Sequence, residues 1–150
     1  MEQRINLMEK GQAALRPLFG IGAYLNKSSI DIGLRELICF RVSQVNGCAY
    51  CVDMHSKDAR AKGETEQRLY GLSAWRDAPY YTERERAAFE WAEAVTACDI
   101  PDDIYTAVKK HFTDEELIDL TLTAATVNTW NRLNIAFPNA VGTYQVGQFA

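Results

Sequence analysis

No apolar run in this 150-residue sequence approaches the roughly 20 residues that a membrane-spanning helix needs. The start, Met1-Glu2-Gln3-Arg4-Ile5-Asn6, lacks the apolar stretch of a signal peptide. Together these absences lead to the expectation of a cytoplasmic protein that does not engage a membrane. A basic excess is also missing: the formal net charge is −4, which argues against a nucleic-acid partner, because such binding needs a basic surface. There is no fixed-period repeat and no low-complexity segment, so residues 1–150 are expected to form a single domain. Strand signals are weak, since β-branched residues are scattered and no short alternating run is bounded by turns. Finally, there is one C-x-x-C and neither a second one nor an H-x-H pair. A structural zinc would have to complete its shell from His55 together with His111, Cys39, Cys98 or Glu36.

What the chain does have is helical periodicity. With 47% hydrophobic and 24% charged residues it has ordinary globular composition, and apolar residues recur at three and four positions almost throughout. The expected class is all-α. Residues 5 to 25 read as one helix, bent near Pro17 or broken at Gly20 and Gly22. Asp31 caps a second, with Leu34, Ile38, Val42 and Val45 as its buried stripe. A third runs from about Cys48 to Lys62, and a short one from Thr65 to Leu72. Thr82 and Glu85 form a capping box for a helix to about Cys98, with Ala88, Phe89, Ala92 and Val95 inward. Pro101 opens another, ending near Phe112, and a second capping box at Thr113 and Glu116 starts the longest, which Pro138 stops after Phe137. The tail, with Gly142 and Gly147, is expected to be irregular, with a neighbouring subunit as a surface it could pack on.

The stretch from Glu36 to His55 concentrates the chemistry. Asn46-Gly47 is a turn signal between two helices. If the segment after it is helical, Cys48, Cys51 and His55 stand at i, i+3 and i+7 and share a face. Cys48 would sit in the first turn, where free N–H groups and the helix dipole favour an anion, and a thiolate there is the reactive form. His55 is within reach of Cys51 and can take or relay its proton. Glu36, on the preceding helix, could fold back to orient His55 or relay a proton to it. In a reducing compartment a disulfide is rare unless it is catalytic or redox-sensing, so the pair that could cycle is Cys48 and Cys51.

Other readings of the same residues stay open at this point. The cysteines could be inert core residues, Glu36 a solvated helix residue, and Cys39 a small buried apolar one. Tyr50 could be core, a pocket wall or a hydroxyl donor. His111, beside Lys109 and Lys110, is explained by a helix-end dipole contact, and nothing around Cys98 suggests chemistry. Asn128, Trp130, Asn131, Arg132 and Asn134 cluster on the longest helix. They need polar partners there and could line the pocket, Trp130 and Asn131 above all, or satisfy a subunit contact.

The pattern E-x11-C-x-x-C-x3-H, formed by Glu36, Cys48, Cys51 and His55, resembles the alkylhydroperoxidase AhpD-like branch of the carboxymuconolactone decarboxylase family. The flanking helices, about 30–100, resemble the family's core domain more loosely. The resemblance implies a bundle of about six to eight helices, homo-oligomeric as a trimer or hexamer, and a thiol-dependent peroxidase of peroxiredoxin type acting on a small hydroperoxide. It implies that Cys51 is the peroxidatic residue and that Cys48 resolves its sulfenic acid into a Cys48–Cys51 disulfide. His55 would be the base, with Glu36 completing the relay. No bound cofactor is implied. An external dithiol, such as a lipoyl domain, would return the electrons. Some members carry a histidine between the cysteines, where this chain has Tyr50. The other readings of the motif are a disulfide reductase or redox sensor using the same thiols, and a non-redox oligomeric binding protein.

Overall fold

Side-chain caps set most of the helix starts in the computed structural model, which describes residues 4–149. Asp31 accepts the N–H of Leu34 and so opens the helix Ile32–Asn46, Thr65 accepts that of Arg68 to open Glu66–Gly71, and complete capping boxes at Thr82/Glu85 and Thr113/Glu116 open Glu83–Ala97 and Asp114–Ala136. Each such cap satisfies N–H groups that would otherwise lack partners, and contributes about 1 kcal/mol. Among the described residues there are eight α-helices and no strand: α1 (Leu7–Lys10), α2 (Gln12–Leu25), α3 (Ile32–Asn46), α4 (Ala49–Ala61), α5 (Glu66–Gly71), α6 (Glu83–Ala97), α7 (Asp102–Val108) and α8 (Asp114–Ala136). A 3-10 turn, Leu72–Ala74, follows α5. The expected all-α class and helix number are what the chain adopts. No helix among the described residues is long and apolar enough to cross a membrane.

The helix α3 is the spine, packed against α4, α6 and α8, while α6 also packs on α7 and α8. Leu37, Ile38 and Val42 of α3 meet Leu72, Phe89 and Leu120 in the core, and all six are essentially inaccessible. Phe89 takes the edge-on contacts of Trp75 and Tyr81, at centroid distances of 5.7 and 5.3 Å. Burying side chains of this size stabilises the fold by about 2 to 3 kcal/mol each.

Some expectations fail for identifiable reasons. The first helix does not break at Gly20 or Gly22; it breaks at Gly11, between α1 and α2. A side chain at Gly11 would bring Cβ within 2.6 Å of the Leu7 carbonyl oxygen. Pro17 stays inside α2 with Ala13, whose carbonyl loses its N–H partner; both residues are exposed, so water can take over that bond. Val45 is 46% exposed rather than buried, because the last turn of α3 emerges from the packing; Leu37, Phe40 and Ser43 widen the buried face instead. Likewise Val95 is only half-buried, while Trp91 and Ala94 lie inward. Helix α7 ends at Val108, four residues early, and Phe112 reaches the core from the turn that follows.

The tail is irregular, as expected, and within the chain it packs on α4. Lys57 Nζ donates to the carbonyls of Gly142 and Tyr144, at 3.3 and 3.1 Å. Asp53 accepts the N–H of Gly142 at 3.2 Å. The buried Tyr144 hydroxyl donates to the Asp58 carboxylate, 2.9 Å from each oxygen.

Candidate active site: the Cys48–Cys51 pair

The reversal from α3 into α4 is made by one glycine. Gly47 adopts φ +68°, a left-handed conformation that costs a glycine nothing, and the Cys48 N–H turns back to the Ser43 carbonyl at 3.1 Å. This brings α4 down alongside α3. Cys48 is the N-cap of α4, with extended backbone angles, and not a residue of its first turn; Cys51 lies within the helix. The two are joined as a disulfide, with Cα atoms 5.3 Å apart. Both sulfurs belong to buried residues in the single chain, at 2% and 1% exposure.

From Cys51 a stripe runs down α4 through His55, Asp58 and Lys62, at i+4, i+7 and i+11. Glu36, on α3, meets it. Its Oε2 lies 3.0 Å from His55 Nδ1, and its Oε1 accepts a hydrogen bond from Lys62 Nζ. The Glu36 and His55 side chains are only 15% and 14% exposed. Burial by itself would raise the Glu36 carboxyl, but the hydrogen bonds and charges of His55 and Lys62 together outweigh it and bring it down to about 2. Glu36 is therefore ionised at neutral pH and can only accept hydrogen bonds. That puts a hydrogen on His55 Nδ1 and leaves Nε2 to accept a proton from elsewhere. Cys39, one turn beyond Glu36, is kept a neutral thiol by burial and by the Glu36 charge, both of which push its pKa up. Tyr50 is buried between the two cysteines in sequence, and burial followed by the Asp53 charge keeps its phenol protonated.

Glu36 and His55 thus meet where α3 packs on α4, and the Cys48–Cys51 disulfide lies at the start of that same α4. The polar cluster of α8 is used differently. Asn131, expected to line the pocket, is fully buried, donating to Ser43 Oγ at 3.0 Å and accepting from Asn46 Nδ2 at 2.8 Å. Asn46 also donates to Asn128, which in turn donates to Thr96 on α6 at 2.9 Å and accepts from Arg132. The cluster's polar partners lie within the chain and tie α8 to α3 and α6. Trp130, the other expected wall residue, packs on Phe19 of α2 at a centroid distance of 5.3 Å. His111 lies past the end of α7, and Cys98 is exposed. Among the described residues no group of three or more His, Cys, Asp or Glu side chains is arranged to hold a metal ion. Two surface grooves, one along α2 at Met8, Leu15 and Phe19 and one between α7 and α8 at Tyr105, Leu117 and Ile118, include no residue of this site.

Sequence reasoning missed Lys62 and the Asp58–Tyr144 pair. The helical stripe continued past His55 would have reached Asp58 and Lys62. Tyr144, 86 residues from Asp58, had no such signal.

A largely buried carboxylate–imidazole pair thus shares α3 and α4 with a C-x-x-C disulfide, on an all-helical scaffold. Residues 12–94 match the model of the carboxymuconolactone decarboxylase family. The chain belongs to that family, in its AhpD-like form. It is 42% identical to the uncharacterized protein YdfG of Bacillus subtilis over 142 residues, 93% of this chain and 97% of that one. It is 31% identical to the uncharacterized protein YnjA of Escherichia coli over 112 residues, 73% of this chain and 62% of the other. A solved structure from Agrobacterium tumefaciens, of a protein of unknown function assigned provisionally as antioxidant defence protein AhpD, superposes with a TM-score of 0.90 at 36% identity; the match covers 95% of this chain and 100% of that one.

Proposed function

We propose that this chain is a thiol-dependent peroxidase that reduces small hydroperoxides through Cys51 and Cys48. The carrying observation is the Cys48–Cys51 disulfide on the same helix as an imidazole whose Nδ1 is held by an ionised Glu36. In the reduced protein His55 Nε2 takes the Cys51 proton. The thiolate attacks the hydroperoxide, the O–O bond breaks, and the products are Cys51 sulfenic acid and, once protonated, the alcohol. Cys48 then attacks the Cys51 sulfur, forming the disulfide and releasing water. An external dithiol, with the paired thiols of a lipoyl domain as the favoured class, returns two electrons by thiol–disulfide exchange. The provisional AhpD assignment of the Agrobacterium structure supports the same reading. Assembly as a trimer or hexamer belongs to the proposal, and light scattering of a monomer in solution would count against it.

The test is peroxide consumption by wild-type protein with a series of dithiol donors. Cys51→Ser should abolish turnover, and Cys48→Ser should leave a sulfenic acid that dimedone captures at Cys51. Dimedone labelling of Cys48 in Cys51→Ser would reverse the assignment. The burial of both sulfurs favours one further reading, a redox sensor or disulfide reductase whose thiols open only transiently. Such a protein would consume one equivalent of peroxide and stop, even with donor in excess.

A further inference from the structure

We propose that Lys62 is a positioning residue of this site: by holding one oxygen of Glu36 it limits how strongly the other pulls a proton onto His55. The inference builds on the reading of His55 as the base for Cys51. A base must be unprotonated to act. A carboxylate on Nδ1 orients the ring but also stabilises its protonated form. Lys62 opposes this by taking part of the carboxylate's charge. The geometry divides the carboxylate between them: Oε2 to His55 Nδ1 at 3.0 Å, Oε1 to Lys62 Nζ. Lys62 is also the C-cap residue of α4, and its side chain is one-third exposed, so it is in place on the same stripe as His55 without being part of the core. The other titratable groups to consider are Cys51 and Asp58, one turn to either side of His55 on α4, and, interacting with Glu36 itself, Cys39 on α3, which also feels the Arg35 charge, and Tyr144 on the tail, which bonds Asp58. Cys39 and Tyr144 are held neutral, chiefly by burial, and Asp58 is engaged by the Tyr144 hydroxyl. Lys62 is thus the one cation seen bonded to Glu36 among the described residues.

The test is an NMR titration of the imidazole C–H signals in the oxidised protein, where Cys51 carries no titrating thiol. The chain has two histidines, so His111 serves as an internal control. Lys62→Met should move the His55 midpoint upward by about half to one pH unit, a three- to tenfold gain in proton affinity. Lys62→Gln should do the same, Lys62→Arg should restore the wild-type curve, and His111 should not move. An unmoved His55 midpoint, a failure of arginine to restore it, an equal shift in His111, or loss of fold in both neutral variants would each overturn the proposal. The readout needs no peroxide. A shifted midpoint in a protein that turns over no peroxide would leave the Lys62 role standing and remove the peroxidase reading, and the opposite pair of results would do the reverse.

Discussion

Replacing Glu36 with glutamine removes a charge while keeping the side chain's volume, and its effect on stability should depend on pH in a calculable way. The carboxyl is lowered from its ordinary value of 4.5 to about 2 in the fold. At about 1.4 kcal/mol per pH unit, the ionised form contributes about 3 kcal/mol to stability at neutral pH. The folded value lies below the unfolded one, so the contribution is complete well above pH 4.5 and is lost as pH falls toward 2. By pH 3 about 2 kcal/mol of it is gone. Denaturant unfolding of wild type and Glu36→Gln should therefore differ by up to about 3 kcal/mol at pH 7, a large share of a typical domain's stability, and by about 1 kcal/mol at pH 3. The variant's own curve should be correspondingly flatter across that range. Lys62 is partly exposed and can turn to water in the variant, so 3 kcal/mol is the upper end. A difference of the same size at both pH values would refute the reasoning, since it would show that Glu36 acts by shape and not by charge.

Four further outcomes follow from other parts of the molecule. Asn131→Leu should cost about 2 kcal/mol in denaturant unfolding, because it strips the half-buried Asn46 amide and the buried Ser43 hydroxyl of a shared partner. Thr113→Ala should cost about 1 kcal/mol by removing the cap of α8, with the loss read from thermal unfolding. Cys98 holds φ +55° at the C-terminus of α6, so Cys98→Gly should raise stability by about 1 kcal/mol in the same assay, while leaving thiol chemistry at Cys51 unchanged. Tyr144→Phe loses the hydrogen bond to Asp58 and should free the tail, seen as faster amide exchange and earlier proteolytic cleavage after Ala140, with little change in the core.

Much of the helical architecture was legible because its signals are local. Asp31, Thr82 with Glu85, and Thr113 with Glu116 each announce a helix start within four residues, and all three starts occur where those signals stand. Gly11 was not read as a breaker, since a lone glycine near an end is a weak signal. Val45 fits the stripe by periodicity, yet the pattern cannot say where a helix emerges from its neighbours.

The sequence by itself determined that a dithiol and an imidazole would share one helix, since the spacing of Cys48, Cys51 and His55 leaves an α-helix no other arrangement, and Asn46-Gly47 turns the chain into it. Tertiary structure alone decided that Glu36 would divide its two oxygens between His55 and Lys62, that both sulfurs would be buried, and that the α8 asparagines would tie helices together. Those outcomes depend on how far apart and at what angle two helices pack. That is set by the summed fit of side chains such as Leu37, Ile38, Phe89 and Leu120 from distant parts of the chain, and local periodicity carries no record of it.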